Sequence, residues 1–256
     1  MRMIVILNSH KFNSKLFIAI THAMQTINNN LDVLFTLPVI LLRAYVSAED
    51  KINASKAVPT WFTEIMCGVM LGDGYLRMHG IHALLSIQQT HKEITECLWS
   101  ICHSLNLVIN PINPISQGDW KIIYTFQSLT MPYFTTLWHD WYSLVDGRSV
   151  KRLPANILDL LTPLALAHWI MGDGSFDGYG RGLGRVVLHT DNFTHAEVQL
   201  LRDILKSKFN IESGVKVGKP DPVRGHQIRI SAKSLVTLRD ISMPHMYPSL
   251  LYKLGM

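Results

Sequence analysis

The chain has 256 residues, of which 48% are hydrophobic and 17% charged, and it carries a formal net charge of +5. This composition excludes an intrinsically disordered protein, and the length provides enough apolar material for one large domain or two small ones. The basic excess is compatible with a nucleic-acid partner, but it is too moderate to indicate one without supporting motifs.

The cysteines argue against a disulfide-stabilised protein, and the hydropathy pattern argues against a membrane-spanning one. Cys67, Cys97 and Cys102 form neither a CxxC pair nor an even set for disulfides. Two of them lie in apolar helical patterns, where we expect buried free thiols, and a reducing compartment is indicated. No uninterrupted apolar run reaches the length of a membrane-spanning helix, and we expect no membrane partner. The acid-poor residues 1–50 are interpreted as an N-terminal extension, with an organelle transit peptide as the alternative.

The most informative feature is a tripeptide that occurs twice, one hundred residues apart, as Gly72-Asp73-Gly74 and Gly172-Asp173-Gly174. Each copy ends an apolar helical run that has a small residue near its start. A single copy is typical of a helix end followed by a turn. Two copies in the same context predict a pseudo-twofold pair of helices that brings two carboxylates together.

The elements that follow each tripeptide also correspond. Strands are predicted over residues 75–78 and 83–88, then 120–126, and again over 175–176, 185–190, 215–217 and 227–231, with glycines in the intervening turns. Capping boxes predict helix starts at Thr90 and Thr194, with Glu93 and Glu197 three residues later. Further helical segments are expected near residues 132–144 and 232–241. The fold class is therefore α+β, with halves at residues 51–150 and 151–256 after the extension.

The ends of the two repeated helices can be predicted from capping rules. Thr162 with Pro163 is a favourable start for the second helix, and Thr60 is the matching candidate in the first. Gly74 and Gly174 are expected in the left-handed conformation that ends many helices. The small residues at Gly68 with Gly72, and at Ala167 with Gly172, would let the two helix backbones approach closely.

Asp73 and Asp173 would then lie at the negative ends of their helix dipoles. This placement costs roughly 0.3 to 1 kcal/mol for an exposed carboxylate. Two such carboxylates in contact raise each other's pKa unless cations neutralise them. A divalent metal held by carboxylates, carbonyl oxygens and water offsets all of these penalties.

In these repeated motifs and in the order of its elements, the chain resembles the LAGLIDADG homing endonucleases, in the single-chain form that carries two motifs. The resemblance covers residues 60–256, and Leu161-Thr162-Pro163 and Met246-Tyr247 are similar to the intron-encoded mitochondrial members. It implies two αββαββα halves that pack through the motif helices, with their sheets forming a saddle over duplex DNA. His168, which stands where the first motif has Gly68, is interpreted as a packed histidine.

The resemblance also implies a catalytic site. Asp73 and Asp173, with Gly72 and Gly172, would bind Mg²⁺ or Mn²⁺ at the scissile phosphates, and each half would cut one strand. Lys151 and Lys253 align with basic residues that polarise water or steady the phosphate in some relatives, although a solvated lysine is the alternative for each. Gln88 and Thr190 are expected near the catalytic water or phosphate.

The partner implied by the resemblance is double-stranded DNA with a long asymmetric site, bound by a monomer. Alternate side chains of the sheets would face the major groove. The residues expected to contact DNA are Arg77, His79, Gln88, Lys121, Arg181, Arg185, Thr190, Lys216, Arg224 and Arg229.

Three functions remain open on the sequence. The favoured one is a site-specific DNA endonuclease that promotes mobility of a group I intron. The first alternative is a maturase that binds group I intron RNA, alone or in addition, and the second is a DNA-binding regulator; intact acids in both motifs favour the nuclease. An intein is not indicated, and a mitochondrial location is expected, with a chloroplast as the alternative.

Overall fold

Helices and antiparallel strands recur in the same order in the two parts of the chain. The computed structural model describes residues 46–118, 120–178, 184–216 and 225–256. Most of the predicted N-terminal extension, the candidate DNA contacts Arg181 and Arg224, and part of the turn after Asp177 lie outside the described residues. The α-helices within these ranges are α1 Ala48–Lys56, α2 Thr60–Leu71, α3 Lys92–Ser104, α4 Pro132–Trp141, α5 Ile157–Leu160, α6 Pro163–Asp173, α7 His195–Phe209 and α8 Leu235–Ser242.

The strands build two four-stranded sheets and a separate hairpin. They are β1 Tyr75–His79, β2 His82–Gln89, β3 Asn113–Gln117, β4 Lys121–Gln127, β5 Tyr142–Val145, β6 Arg148–Lys151, β7 Gly174–Asp177, β8 Arg185–His189, β9 Ser213–Lys216 and β10 Gln227–Ile230. The first sheet has the order β1-β2-β4-β3 and the second β7-β8-β10-β9, all antiparallel. Because the two orders correspond strand for strand, the predicted α+β fold with pseudo-symmetric halves is confirmed.

The repeated helices α2 and α6 form the centre of the core. Both are apolar on nearly every side, as expected of a helix that is enclosed by protein. Residues 65–71 of α2 and 165–171 of α6 are all buried. A Cβ atom on Gly68 would come within 2.6 Å of the Cβ of His168, so the absence of a side chain there permits the close helix contact. His168 is buried beside Tyr247, which confirms that it is a packed histidine.

The other helices cover the sheets and the ends of this pair. Helix α3 packs on β2 and β4, α7 packs on β9 and β10, and α4 packs on β1 and β2. The C-terminal part contacts α6 through α8 and through the 3₁₀ helices Met243–His245 and Pro248–Leu254. Within the described ranges, no helix is long and apolar enough to cross a membrane.

Two of the four predicted helix starts are confirmed. Thr162 accepts a hydrogen bond from the amide of Ala165 and has Pro163 after it, and Thr194 forms a complete capping box with Glu197. The prediction for Thr60 is wrong, because the cap residue is Pro59, which has no side-chain donor or acceptor.

The predicted capping box at Thr90 is also wrong. Helix α3 has His91 at its N-cap and no side-chain capping bond. The carboxylate of Glu93 accepts instead from the hydroxyl of Ser249, so it is not directed back at the start of its own helix.

Gly74 and Gly174 were expected in the left-handed region, and that prediction is wrong. Neither glycine has a positive φ, and Gly174 has φ −84° and ψ 147° as it enters β7. Their small size matters for packing instead. A Cβ on Gly74 would lie 2.6 Å from the carbonyl oxygen of Val69, and one on Gly174 would lie 2.9 Å from the Cα of Ile170.

Candidate active site

The two motif aspartates lie side by side where α2 and α6 end. Asp173 is the last residue of α6, whereas Asp73 lies just beyond Gly72, the cap residue of α2. A Cβ on Gly72 would lie 3.6 Å from both the Cβ of Asp173 and the Cα of Gly172. The tripeptides are therefore in van der Waals contact, and two carboxylates from separate parts of the sequence share one site.

The environment of these aspartates favours a bound proton or cation. Burial raises the pKa of Asp173 to about 7, and the neighbouring Asp73 carboxylate and its hydrogen bond add to this effect. Lys151 and Lys253 oppose the shift only in part. Asp73 is more exposed and accepts a hydrogen bond from Gln89 Nε2 at 2.7 Å.

The two predicted lysines each bind the end of one motif helix. Lys151 Nζ donates to the carbonyl oxygens of Gly72 at 3.0 Å and Gly74 at 2.9 Å. Lys253 Nζ donates to the carbonyl oxygens of Met171 at 2.6 Å and Gly172 at 2.8 Å. Ammonium groups at the carbonyl end of a helix are favourable because the dipole is negative there.

Burial acts on the protonation of both lysines. It lowers the pKa of Lys151 to about 8, although the two aspartates attract its proton, and it lowers the pKa of Lys253 in the same way. Lys253 is buried, so the alternative of a solvated lysine near the chain end is wrong for it. Both amines therefore lie close to the carboxylate pair in a partly dehydrated setting.

The glutamine nearest the aspartates is not the one that the sequence indicated. Gln88 is exposed on the opposite side of β2 from Gln89, and it is Gln89 that contacts Asp73. Thr190 is buried, and its hydroxyl donates to the carbonyl oxygen of His226. A one-residue change along a strand reverses the face of the side chain, and the sequence pattern alone does not resolve it.

Sequence reasoning missed a polar network beside the second motif. His189 Nε2 lies 3.0 Å from the hydroxyl of Ser175, and His189 Nδ1 lies 3.1 Å from Gln227 Nε2. All three side chains lie on the face of the second sheet that points away from its core. The sequence of β8 gives no clear signal for this face, because Val186, Val187 and Leu188 are all buried; it is the pairing of His189 with Gln227 that places His189 there.

The polar faces of the sheets carry the described DNA-contact candidates other than Thr190. One face of each sheet packs on the core through buried residues such as Leu76, Leu85 and Ile228. The strand registers place the candidate DNA contacts on the opposite face. That set comprises Arg77, His79, Gln88 and Lys121 in the first sheet, and Arg185, Lys216 and Arg229 in the second.

The donor set of the site fits a hard divalent cation. Within the described part of the chain no group of three or more His, Cys, Asp or Glu residues could hold a metal. The site instead offers two carboxylates and the carbonyl oxygens of Gly72 and Gly172. The Gly72 carbonyl oxygen also accepts a hydrogen bond from Lys151, and the Gly172 carbonyl oxygen accepts one from Lys253. Mg²⁺ is commonly bound by one or two carboxylates, with water and substrate phosphate completing the shell.

Comparison with known proteins agrees with this geometry. The model of the LAGLIDADG DNA endonuclease family matches residues 63–238, and the chain belongs to that family. It is 31% identical over 225 residues to the cytochrome b mRNA maturase bI2 of Debaryomyces hansenii, covering 84% of this chain and 81% of the relative. It is also 31% identical over 132 residues to a probable intron-encoded DNA endonuclease of Mycosarcoma maydis, covering 51% and 92%.

A solved structure shares the fold. The homing endonuclease I-WcaI bound to its DNA recognition sequence superimposes with a TM-score of 0.67 at 24% identity, over 79% of this chain and 90% of that chain.

Proposed function

We propose that the protein is a site-specific double-strand DNA homing endonuclease that hydrolyses phosphodiester bonds with divalent metal and promotes group I intron mobility. The observation that carries the proposal is the pair of carboxylates, Asp73 and Asp173, at the contact of the two motif helices. A lysine beside each motif and two sheets with basic outer faces support it. The family and the relative named as a DNA endonuclease agree.

The residues of the site divide the work of hydrolysis. Asp73 and Asp173 would hold Mg²⁺ or Mn²⁺, whose chemistry is to activate a water and stabilise the leaving oxygen. Lys151 and Lys253 would steady the phosphates and supply positive charge close to the aspartates. Gln89 orients Asp73 through its amide. Gln88 and Thr190 are also proposed to act near the water or phosphate. In this structure Gln88 is exposed on the opposite side of β2 from Gln89, and the Thr190 hydroxyl donates to the carbonyl oxygen of His226.

DNA recognition would fall to the outer faces of the sheets. An extended strand alternates its side chains, so basic and amide groups there can meet phosphates and base edges along a groove. The two non-identical sheets suit a long asymmetric site that a monomer binds. We assign residues 51–150 and 151–256 to the two halves and residues 1–50 to the extension.

Cleavage of an intronless target in Mg²⁺ tests the proposal. Wild-type protein should cut both strands, and Asp73→Asn or Asp173→Asn should reduce the rate by at least about 10³-fold, because each removes a carboxylate ligand. Asp240→Asn, on the exposed side of α8, is the matched control and should cut normally. Full activity in both site variants would refute the metal assignment.

A second function, splicing of a group I intron as a maturase, is supported by the similarity to the Debaryomyces hansenii protein. The cytochrome b transcript in that name also supports a mitochondrial location. Tight binding of intron RNA that survives Asp73→Asn would favour this activity, because RNA binding does not require the metal site. Absence of intron binding would exclude it.

A further inference from the structure

The segment that carries Lys151 is held from outside its own hairpin. Lys151 ends β6, and two residues later the amide of Leu153 donates to Glu197 Oε1 at 2.8 Å. Glu197 is the third residue of α7, the helix that packs on the second sheet. A residue associated with the second sheet therefore fixes the chain next to the lysine that binds the first motif.

The carboxylate of Glu197 is itself held firmly. Its other oxygen, Oε2, accepts from the amide of Thr194 at 2.8 Å and from the hydroxyl of Thr194 at 2.7 Å. The capping box thus uses Oε2, while Oε1 is directed at Leu153. The bond to Leu153 does not contribute to capping, so helix stability alone does not explain it.

The second lysine has a reciprocal arrangement. Glu93, which lies 104 positions before Glu197, accepts from the hydroxyl of Ser249 in the C-terminal 3₁₀ helix. Tyr252 Oη lies 3.1 Å from His91 Nε2, and Tyr252 directly precedes Lys253. The start of α3, beside the first sheet, therefore holds the segment that carries the lysine of the second motif.

We propose that Glu197 and Glu93 are positioning residues. Glu197, beside the second sheet, holds the segment that carries Lys151, the lysine at the first motif. Glu93, beside the first sheet, holds the segment that carries Lys253, the lysine at the second motif. The proposal rests on the nuclease function for its catalytic consequence. A lysine side chain is long and flexible, so its ammonium reaches the carbonyls of one motif only if the backbone that carries it is fixed. A displacement of about 1 Å in a catalytic group can cost up to about 10²-fold in rate.

The arrangement predicts strand-selective defects. Each lysine lies against one motif, so loss of one glutamate should impair the cut at one strand. Glu197→Ala should slow one strand by about tenfold or more and leave the other almost unchanged, whereas Glu93→Ala should slow the opposite strand. Target DNA labelled separately on each strand gives both rates in one reaction.

Thr194→Ala is the matched control. It removes the cap hydroxyl, but the backbone amide of residue 194 still donates to Glu197 Oε2, and the bond from Leu153 to Oε1 remains. This variant should leave the ratio of the two strand rates unchanged. Glu197→Gln retains an acceptor for the Leu153 amide, so the ratio of its two strand rates should stay close to that of the wild-type protein. Equal slowing of both strands by Glu197→Ala, or the same ratio change in Thr194→Ala, would overturn the proposal.

Chemical labelling of lysine amines, read by mass spectrometry, tests the positioning without any cleavage. An amine-acetylating reagent should modify Lys151 several-fold faster in Glu197→Ala and Lys253 several-fold faster in Glu93→Ala, with the other lysine unaffected in each case. A protein that cuts no DNA but shows these reciprocal changes would refute the nuclease function and retain the positioning roles. Unchanged labelling in both variants would refute the positioning roles.

Discussion

At the scale of single residues, Asp173 makes the metal-free protein sensitive to pH. Burial and the Asp73 carboxylate raise its folded-state pKa from 3.8 to about 7. Between these values the folded state binds more protons than the unfolded state, so stability falls as pH rises from about 4 to about 7. Above that window the free-energy cost of the charged carboxylate is fully present.

Asp173→Asn should therefore stabilise the metal-free protein at pH 8, raising Tm by about 2–5 °C for a domain of this size. The difference should vanish near pH 4, and Mg²⁺ should raise the Tm of the wild-type protein more than that of the variant. Thermal unfolding in EDTA from pH 4 to 8, with and without Mg²⁺, measures both effects. A Tm that is equal at pH 8 would show that the pair is not strained.

Gly68 is the residue that sets the approach of the motif helices. Gly68→Ala would place a methyl group against the Ala165 carbonyl oxygen and 2.9 Å from the Trp169 amide nitrogen, both of which are backbone atoms. We expect a loss of about 2–3 kcal/mol of unfolding free energy in a denaturant titration. Gly214→Ala is the control, since nothing lies within 4 Å of a Cβ there, and it should change stability by less than about 0.5 kcal/mol.

At the scale of elements, the two equivalent outer helices differ in how they begin. Thr194→Ala should cost about 1 kcal/mol because it removes a cap oxygen from α7. Thr90→Ala should be close to neutral, because α3 has no side-chain capping bond. Chemical denaturation of the two variants compares them directly, and equal losses would contradict the difference between the two helix starts.

The strands show which elements the sequence could predict. The pairs β1–β2 and β7–β8 follow from short strand-like runs with glycines in the turns between them. Strand β3 was not predicted, because its exposed residues include Pro114 and it exists only through pairing with β4. The hairpin of β5 and β6 was not predicted, and the helix expected near residues 132–144 ends at Trp141 instead. Asp146-Gly147, both with positive φ, is nevertheless a strong hairpin signal.

Some features of the site could likewise be predicted from the sequence, and others could not. Asp73 and Asp173 could be predicted to meet because a repeated motif implies symmetry and small residues imply close helices. Gln89 could not be distinguished from Gln88, since that choice depends on strand register. The contact of Leu153 with Glu197 joins residues 44 positions apart and depends on how the hairpin folds back on α7.

At the scale of the whole molecule, the two outer sheet faces should act together as one electrostatic surface for DNA. The described basic residues on these faces are Arg77, Lys121, Arg185, Lys216 and Arg229. Each phosphate that such a residue neutralises contributes about −0.9 to the slope of log affinity against log salt concentration. Five contacts would therefore give a slope of about −4 to −5 for target DNA.

Lys121 and Lys216 are exposed residues on different sheets, and each substitution by alanine tests one sheet. Either variant should reduce the magnitude of the slope by about 0.9, and the double variant by about 1.8, because distant phosphate contacts are independent. Lys92→Ala removes an exposed lysine that is paired with Glu96 on α3, and it should leave the slope unchanged. Binding isotherms at several salt concentrations measure these slopes. If only one sheet's variant altered the slope, DNA would contact one half alone, and a site that spans both sheets would be refuted.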